Sequence, residues 1–116
     1  IAVEHITERG TKQEEAQAIQ KHLRQEDHIV ALDIGGQTYS TEVFSNQLER
    51  WFMQCKGRIV FIIGGDEGLD ETLLKRAHLR FSFSPMTFPH RLAFVMLIEQ
   101  IYRAQSISRG EKYHRV

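Results

Sequence analysis

The chain has 116 residues, 41% hydrophobic and 26% charged, enough for one modest core and too few for a second, so a single globular domain spanning residues 1–116 is expected. No apolar run approaches the roughly 20 residues of a membrane-crossing helix, no basic-then-apolar leader opens the chain, and the lone cysteine, Cys55, has no Cys or His at metal-ligand spacing. These features argue against a membrane protein, a disulfide scaffold and a zinc site, and a soluble cytoplasmic protein with no metal is expected. The formal charge is zero, yet residues 1–74 carry seven Lys and Arg against thirteen Asp and Glu, and residues 75–116 carry eight against two.

The elements alternate. Ile1–Ile6 reads as a short strand, and Thr11 to Gln25 as a polar helix with Ala16, Ala18, Ile19 and Leu23 as its apolar positions. His28–Ile34 is a nearly continuous apolar run closed by Gly35 and Gly36, the pattern of a buried strand. Ser40 or Thr41 caps a helix from Glu42 to Gln54, with Val43, Phe44, Leu48, Trp51 and Phe52 facing inward. Arg58–Ile63 is the plainest strand of the chain. Asp70 caps a short helix through Ala77, Leu79–Phe83 is a short strand, and Pro89 opens a last helix to about Gln105. Trp51 and Cys55 read as packing residues. His5, His22, His28 and His78 are unclustered and receive no role.

Alternating strands and helices with buried apolar runs imply an open, mostly parallel α/β sheet, which binds ligands beyond the carboxyl ends of its strands. Three loops leave such ends: the one after Leu32-Asp-Ile34, the one from Gly64 to Leu69, and the one from Ser82 to Pro89. Gly64 and Gly65 remove two side chains where backbone approaches a ligand, or simply make a tight turn. Their spacing is not that of a dinucleotide fingerprint, and no Walker lysine follows. The third loop mixes Ser82, Ser84 and Thr87 hydroxyls, three phenylalanines and Met86 between Pro85 and Pro89. That mixture suits an amphipathic cofactor, although phenylalanines at alternating positions also suit a core.

The last helix, apolar nearly all the way round from Leu92 to Ile98, has more than one face to bury. A two-fold homodimer or a central position within one chain would do so. The basic final third implies a polyanionic partner, with charge pairing between subunits as the alternative.

Gly64-Gly65, the block from Ser82 to His90, Glu99-Gln-Ile-Tyr-Arg-Ala104 and the ending Tyr113-His-Arg115 resemble, in order and spacing, the RlmH family of ribosomal RNA methyltransferases, members of the SPOUT class. The resemblance covers the whole chain. Members ordinarily open with another strand and helix of roughly forty residues, and Ile1–Ile6 looks like their second strand. The resemblance implies a SPOUT sheet with helices on both faces and a C-terminal deep trefoil knot. It implies S-adenosylmethionine held by Leu32, Gly64, Phe83, Ser84, Pro85, Met86, Thr87 and Phe88, flanked by Gly65 and Pro89. The substrate it implies is N3 of a pseudouridine in 23S ribosomal RNA, methylated on the ribosome by a homodimer.

N-methylation of a weakly acidic N–H asks for orientation and for help with the departing proton. His90, Tyr113 and His114 are candidates for that proton. Arg103, Arg109 and Arg115, with Lys112, are candidates for phosphate contact or for stabilising developing charge. Each has a plainer reading: His90 positions the last helix, Arg103 pairs with Glu99 four residues earlier, and the tail frays. A non-catalytic RNA- or ribosome-binding module of the same fold, or a methyltransferase for another RNA position, is the alternative.

Overall fold

The computed structural model of the chain describes residues 11–64 and 68–114. The expected first strand, Ile1–Ile6, lies outside them, as do Gly65 and Arg115. The described elements run α1 (Lys12–Gln20), β1 (His28–Gln37), α2 (Thr41–Gln54), β2 (Ile59–Ile63), α3 (Glu71–Arg76), β3 (Leu79–Phe81) and α4 (His90–Ser108).

The three strands form one parallel sheet in the order β2-β1-β3. Register places His28 opposite Ile59 and Leu32 opposite Ile63 on one side of β1, with Val30 opposite Leu79 and Leu32 opposite Phe81 on the other. Because strand side chains alternate, β1 feeds two cores. Val30 joins Phe44, Leu48, Trp51, Phe81, Leu97, Ile101 and Ala104 beneath α2 and α4. Ile29 and Ala31 join Ala16, Ile19, Ile62, Leu73 and Leu74 beneath α1 and α3. The result is a sheet covered on both faces.

Local signals set most boundaries. Ser40 Oγ accepts the Val43 N–H 3.1 Å away and Asp70 accepts that of Thr72 at 3.1 Å, so α2 and α3 begin where side chains satisfy their first free donors. At the far end of α4, Gly110 takes φ 72° and donates to the Ile107 carbonyl at 3.0 Å, while Glu111 N–H reaches Ser106. That closure carries the helix to Ser108, three residues past its expected end.

Three further expectations are corrected. The first helix stops at Gln20 instead of Gln25, because Asp27, 3% exposed, accepts the Arg24 N–H at 2.7 Å, and Arg58 donates both to that carboxylate and to the His22 carbonyl. β1 continues through Gly35 and Gly36 to Gln37: a Cβ on Gly36 would sit 2.6 Å from the Arg80 carbonyl, so glycine lets this strand press against β3 where a larger residue would end it. β3 ends at Phe81, since the Ser82 N–H crosses to the Gln37 carbonyl and the Ser82 hydroxyl then turns the chain by accepting from Ser84 N–H.

Helix α4 buries one face, Ala93, Leu97, Ile101 and Ala104, against the sheet and α2, where Ser45 Oγ donates to the Ala104 carbonyl at 2.9 Å. Its other apolar face, Leu92, Val95, Ile98 and Tyr102, is exposed, Val95 by 61%. No helix among the described residues is long and apolar enough to cross a membrane.

Candidate functional site

Strand register gathers residues that lie far apart in sequence. Leu32 lies between Ile63 and Phe81, so Leu32, Gly64 and the loop beginning at Ser82 meet at the carboxyl edge of three adjacent strands, about 4.8 Å apart. The 82–89 loop is shaped by its own hydroxyls: Ser82 Oγ donates to the Ser84 carbonyl at 2.9 Å, and Ser84 Oγ accepts from Met86 N–H at 3.0 Å. Ser82 is buried, Phe83, Ser84 and Phe88 are half-buried, and Pro85, Met86, Thr87 and Pro89 face outward. Gly64 is required for a reason internal to the protein, since a Cβ there would lie 2.5 Å from the carbonyl carbon of Gly68. Gly68 itself, at φ 81°, uses the left-handed region before α3.

A second group forms where the chain end returns to α4. Glu99 is its hub. Arg103 grips it through Nε at 3.1 Å and Nη2 at 2.6 Å, Tyr113 donates its phenol at 2.9 Å, and the Gln100 amide donates at 3.0 Å. The Arg103 guanidinium also lies over the Tyr113 ring, 4.7 Å from its centre. His114 Nδ1 lies 3.1 Å from Arg103 Nη1 and its Nε2 lies 3.3 Å from Glu42. Arginine only donates, so Nδ1 accepts and the ring hydrogen sits on Nε2, facing the Glu42 carboxylate. The Arg103 hydrogen bonds hold the Glu99 carboxyl below its ordinary range, and the bond to Glu99 raises the Tyr113 phenol above its own. As arranged, Tyr113 is a donor and not a base.

Of the candidate catalytic residues, Tyr113 and His114, expected to handle the proton, and Arg103, expected to stabilise charge, therefore come together. His90, thirteen residues before Arg103 on the same helix, stands about 20 Å away along its axis. Arg109 pairs with Glu111 at 2.6 Å on the surface, and Lys112 is exposed.

Between the two groups lies a cleft of about 370 Å³ lined by Tyr39, Thr41, Phe81, Phe83, Glu99 and Gln100 among others. Tyr39 stacks on Phe81 at 5.7 Å and Phe81 on Phe44 at 5.2 Å, with Phe83 edge-on. Thr41 Oγ1 donates to Gln100 Oε1 at 2.9 Å. Sequence reasoning gave Tyr39 and Gln100 no role and saw Thr41 only as a cap. The one available signal was Glu99-Gln100 ending the apolar run Leu92–Ile98 within the helix.

Residues 2–114 match the family model described as predicted SPOUT methyltransferase. Among curated proteins the chain is 44% identical over 104 residues to ribosomal RNA large subunit methyltransferase H of Clostridium botulinum strain Kyoto, covering 90% of this chain and 65% of that protein. It is 40% identical over 110 residues to the protein of the same description from Acetivibrio thermocellus, covering 95% and 69%. For that of Ruminiclostridium cellulolyticum the figures are 43% over 108 residues, covering 93% and 68%. The chain thus spans about two-thirds of the length of these relatives.

Proposed function

Because the chain belongs to the SPOUT methyltransferase family, and to its RlmH branch, we propose that it is an S-adenosylmethionine-dependent methyltransferase of the cytoplasm that acts on N3 of a pseudouridine in 23S ribosomal RNA. The observation that carries this reading is the convergence of Leu32, Gly64 and the 83–88 loop at the carboxyl edge of the sheet, next to a cleft with Glu99 on its far wall. The proposal extends to one SPOUT domain over 1–116, a C-terminal trefoil knot and a homodimer working on the ribosome. The exposed Leu92, Val95, Ile98 and Tyr102 face of α4 supports the dimer, since an apolar stripe of this kind marks an interaction surface.

The residues fit the donor. Uncharged rings, a thioether and hydroxyls on a partly exposed loop suit an adenosine, with Gly65, next to Gly64, and Pro89, next to Phe88, flanking the donor site. Bound S-adenosylmethionine would supply an activated methyl group for N3, whose proton passes to solvent water. The protein's own work is orientation and charge. The 83–88 loop and Gly64 hold the donor, α4 presents the remaining Arg103 N–H groups to the negative charge that builds on the base as N3–H is lost, and Tyr113, its hydroxyl hydrogen given to Glu99, holds that carboxylate and Arg103 in place. His114 orients Arg103, His90 fixes the start of α4, and Arg109, Lys112 and Arg115 meet RNA phosphate.

Calorimetric titration with S-adenosylmethionine, combined with transfer of labelled methyl to large ribosomal subunits and nucleoside mass spectrometry, tests the reading. Binding with transfer to pseudouridine is expected. Ribosome binding without transfer would instead identify a non-catalytic module, and transfer to another nucleoside would move the site.

A further inference from the structure

We infer that the cleft between the ends of β1 and β3 and helices α2 and α4 seats the acceptor base, and that Gln100 selects pseudouridine over uridine by reading the N1–H that only pseudouridine carries. This rests on the reading of the protein as a pseudouridine methyltransferase.

The cleft has the size and materials for a base. Its volume of about 370 Å³ falls toward the small end of the roughly 300–1,000 Å³ common for small-ligand sites. Its aromatic wall presents the half-buried rings of Tyr39 and Phe83, backed by the buried Phe81 and Phe44, and exposed ring surface of this kind is where an unstacked base settles. Phe83 is also the first residue of the proposed donor-binding run, so a base in the cleft lies beside the methyl donor. Glu99, opposite, ties the cleft to Arg103 and Tyr113.

The amide of Gln100 supplies the specificity. A glutamine amide has two N–H donors and two acceptor lone pairs. Thr41 Oγ1 donates to Oε1 at 2.9 Å and Nε2 donates to Glu99 at 3.0 Å, so one lone pair and one N–H are used. Glu99, ionised by Arg103, only accepts, which fixes which end of the amide is nitrogen. One acceptor lone pair and one N–H of the same amide remain. That pair is complementary to the N1–H and C2=O of pseudouridine and leaves N3–H for the donor. Uridine carries its sugar on N1, so it has no hydrogen to give and leaves Oε1 unpaired, a mismatch that polar sites reject strongly.

The test compares the wild type, Gln100→Leu and Thr41→Val on large ribosomal subunits bearing either pseudouridine or uridine at the target position, with S-adenosylmethionine affinity and oligomeric state measured alongside. The wild type is expected to prefer pseudouridine. In Gln100→Leu the ratio of kcat/KM values should fall about tenfold or more, the scale of one or two lost hydrogen bonds, with cofactor affinity unchanged. Thr41→Val, which keeps the amide but frees its rotation, should fall less. An unchanged ratio in folded Gln100→Leu overturns the proposal, as does a wild type indifferent to the two substrates. A Gln100→Leu protein that alters its oligomeric state while keeping the ratio marks the cleft as a subunit contact and also overturns it. Should Gln100→Leu fail to fold, an unchanged ratio in Thr41→Val decides against it. Absence of transfer by the wild type to either substrate removes the underlying reading, and the proposal with it.

Discussion

At the amino ends of the strands a buried carboxylate is held by a half-buried guanidinium, whereas at the carboxyl ends Pro85, Met86 and Thr87 stand exposed on a loop shaped by its own hydroxyls. The first arrangement joins α1, β1 and the chain just before β2 into one unit: Asp27, 3% exposed, takes hydrogen bonds from Arg58 and from Arg24 N–H, and Arg58 also reaches His22. The second leaves backbone and hydroxyls available to a ligand. The contrast separates stability from chemistry within a few strand lengths, and it means that substitutions at the two ends should fail in different assays.

The sharpest break of that contrast is Asp27→Ala. It deprives the half-buried Arg58 guanidinium of its main acceptor and should cost about 2–3 kcal/mol of folding stability, read as a fall in the urea midpoint, while the folded fraction keeps its affinity for S-adenosylmethionine. Weakened cofactor binding in folded protein would show that the two ends are coupled. The pH dependence has a definite sign. The Arg58 hydrogen bonds hold Asp27 below the usual 3.8, so its stabilisation is complete above that value and disappears as pH falls through the lower folded-state value. An Asp27→Asn protein should lack this acid limb.

Removal of residues 112–116 acts at the other end. It spares Gly110 and Glu111, which close α4, but takes Tyr113 and His114 away from Glu99 and Arg103. Methyl transfer should fall at least about 100-fold, with the melting temperature nearly unchanged and donor affinity within about threefold. A truncated protein as active as the full chain would place the substrate chemistry elsewhere.

Gly64→Ala is intermediate and tests the carboxyl end from inside. Its new Cβ meets the backbone of Gly68 and Leu69, so a loss of about 1–3 kcal/mol is expected, with donor binding weakened through the displaced loop. Gly68→Ala faces open space but sits at φ 81°, and should cost only about 1–2 kcal/mol. Wild-type donor affinity in both variants would indicate that neither glycine lies against the donor.

The smallest effect belongs to His28 at the amino end, stacked between His78 and Trp51 at 4.9 and 5.0 Å. Burial, with the neighbouring His78 second, lowers His28 from 6.5. Its contribution is therefore present above pH 6.5 and lost as pH falls through the depressed folded-state value. His28→Phe should flatten a shallow decline in stability below pH 6.5. An identical decline in that variant would assign it to another group.

Much of this architecture was legible before any coordinates because its signals are local. Ser40 and Asp70 announce helix starts, the apolar runs of β1 and β2 announce a buried sheet, and the 82–89 loop declares itself by composition. What escaped was set by distant partners. The end of α1 depends on Arg58, more than thirty residues away, and the passage of β1 through Gly35 and Gly36 depends on the backbone of Arg80. Thr41 and Gln100, 59 residues apart, give no sign in sequence that they meet. The apolar surround of α4 was visible, but only the fold shows which stripe is buried and which is left outward.

The position of β1 has a consequence for synthesis. It is the central strand of the sheet, yet it precedes both of its described neighbours in the chain. On a ribosome releasing roughly 5–20 residues per second, Ile29, Val30 and Ala31 emerge seconds before Leu79–Phe81 exist to pair with them. The nascent chain therefore carries an apolar strand with at least one of these two edges uncovered from Gln37 until Phe81 is made, and this protein's yield in the cell should depend on translation speed and chaperone supply.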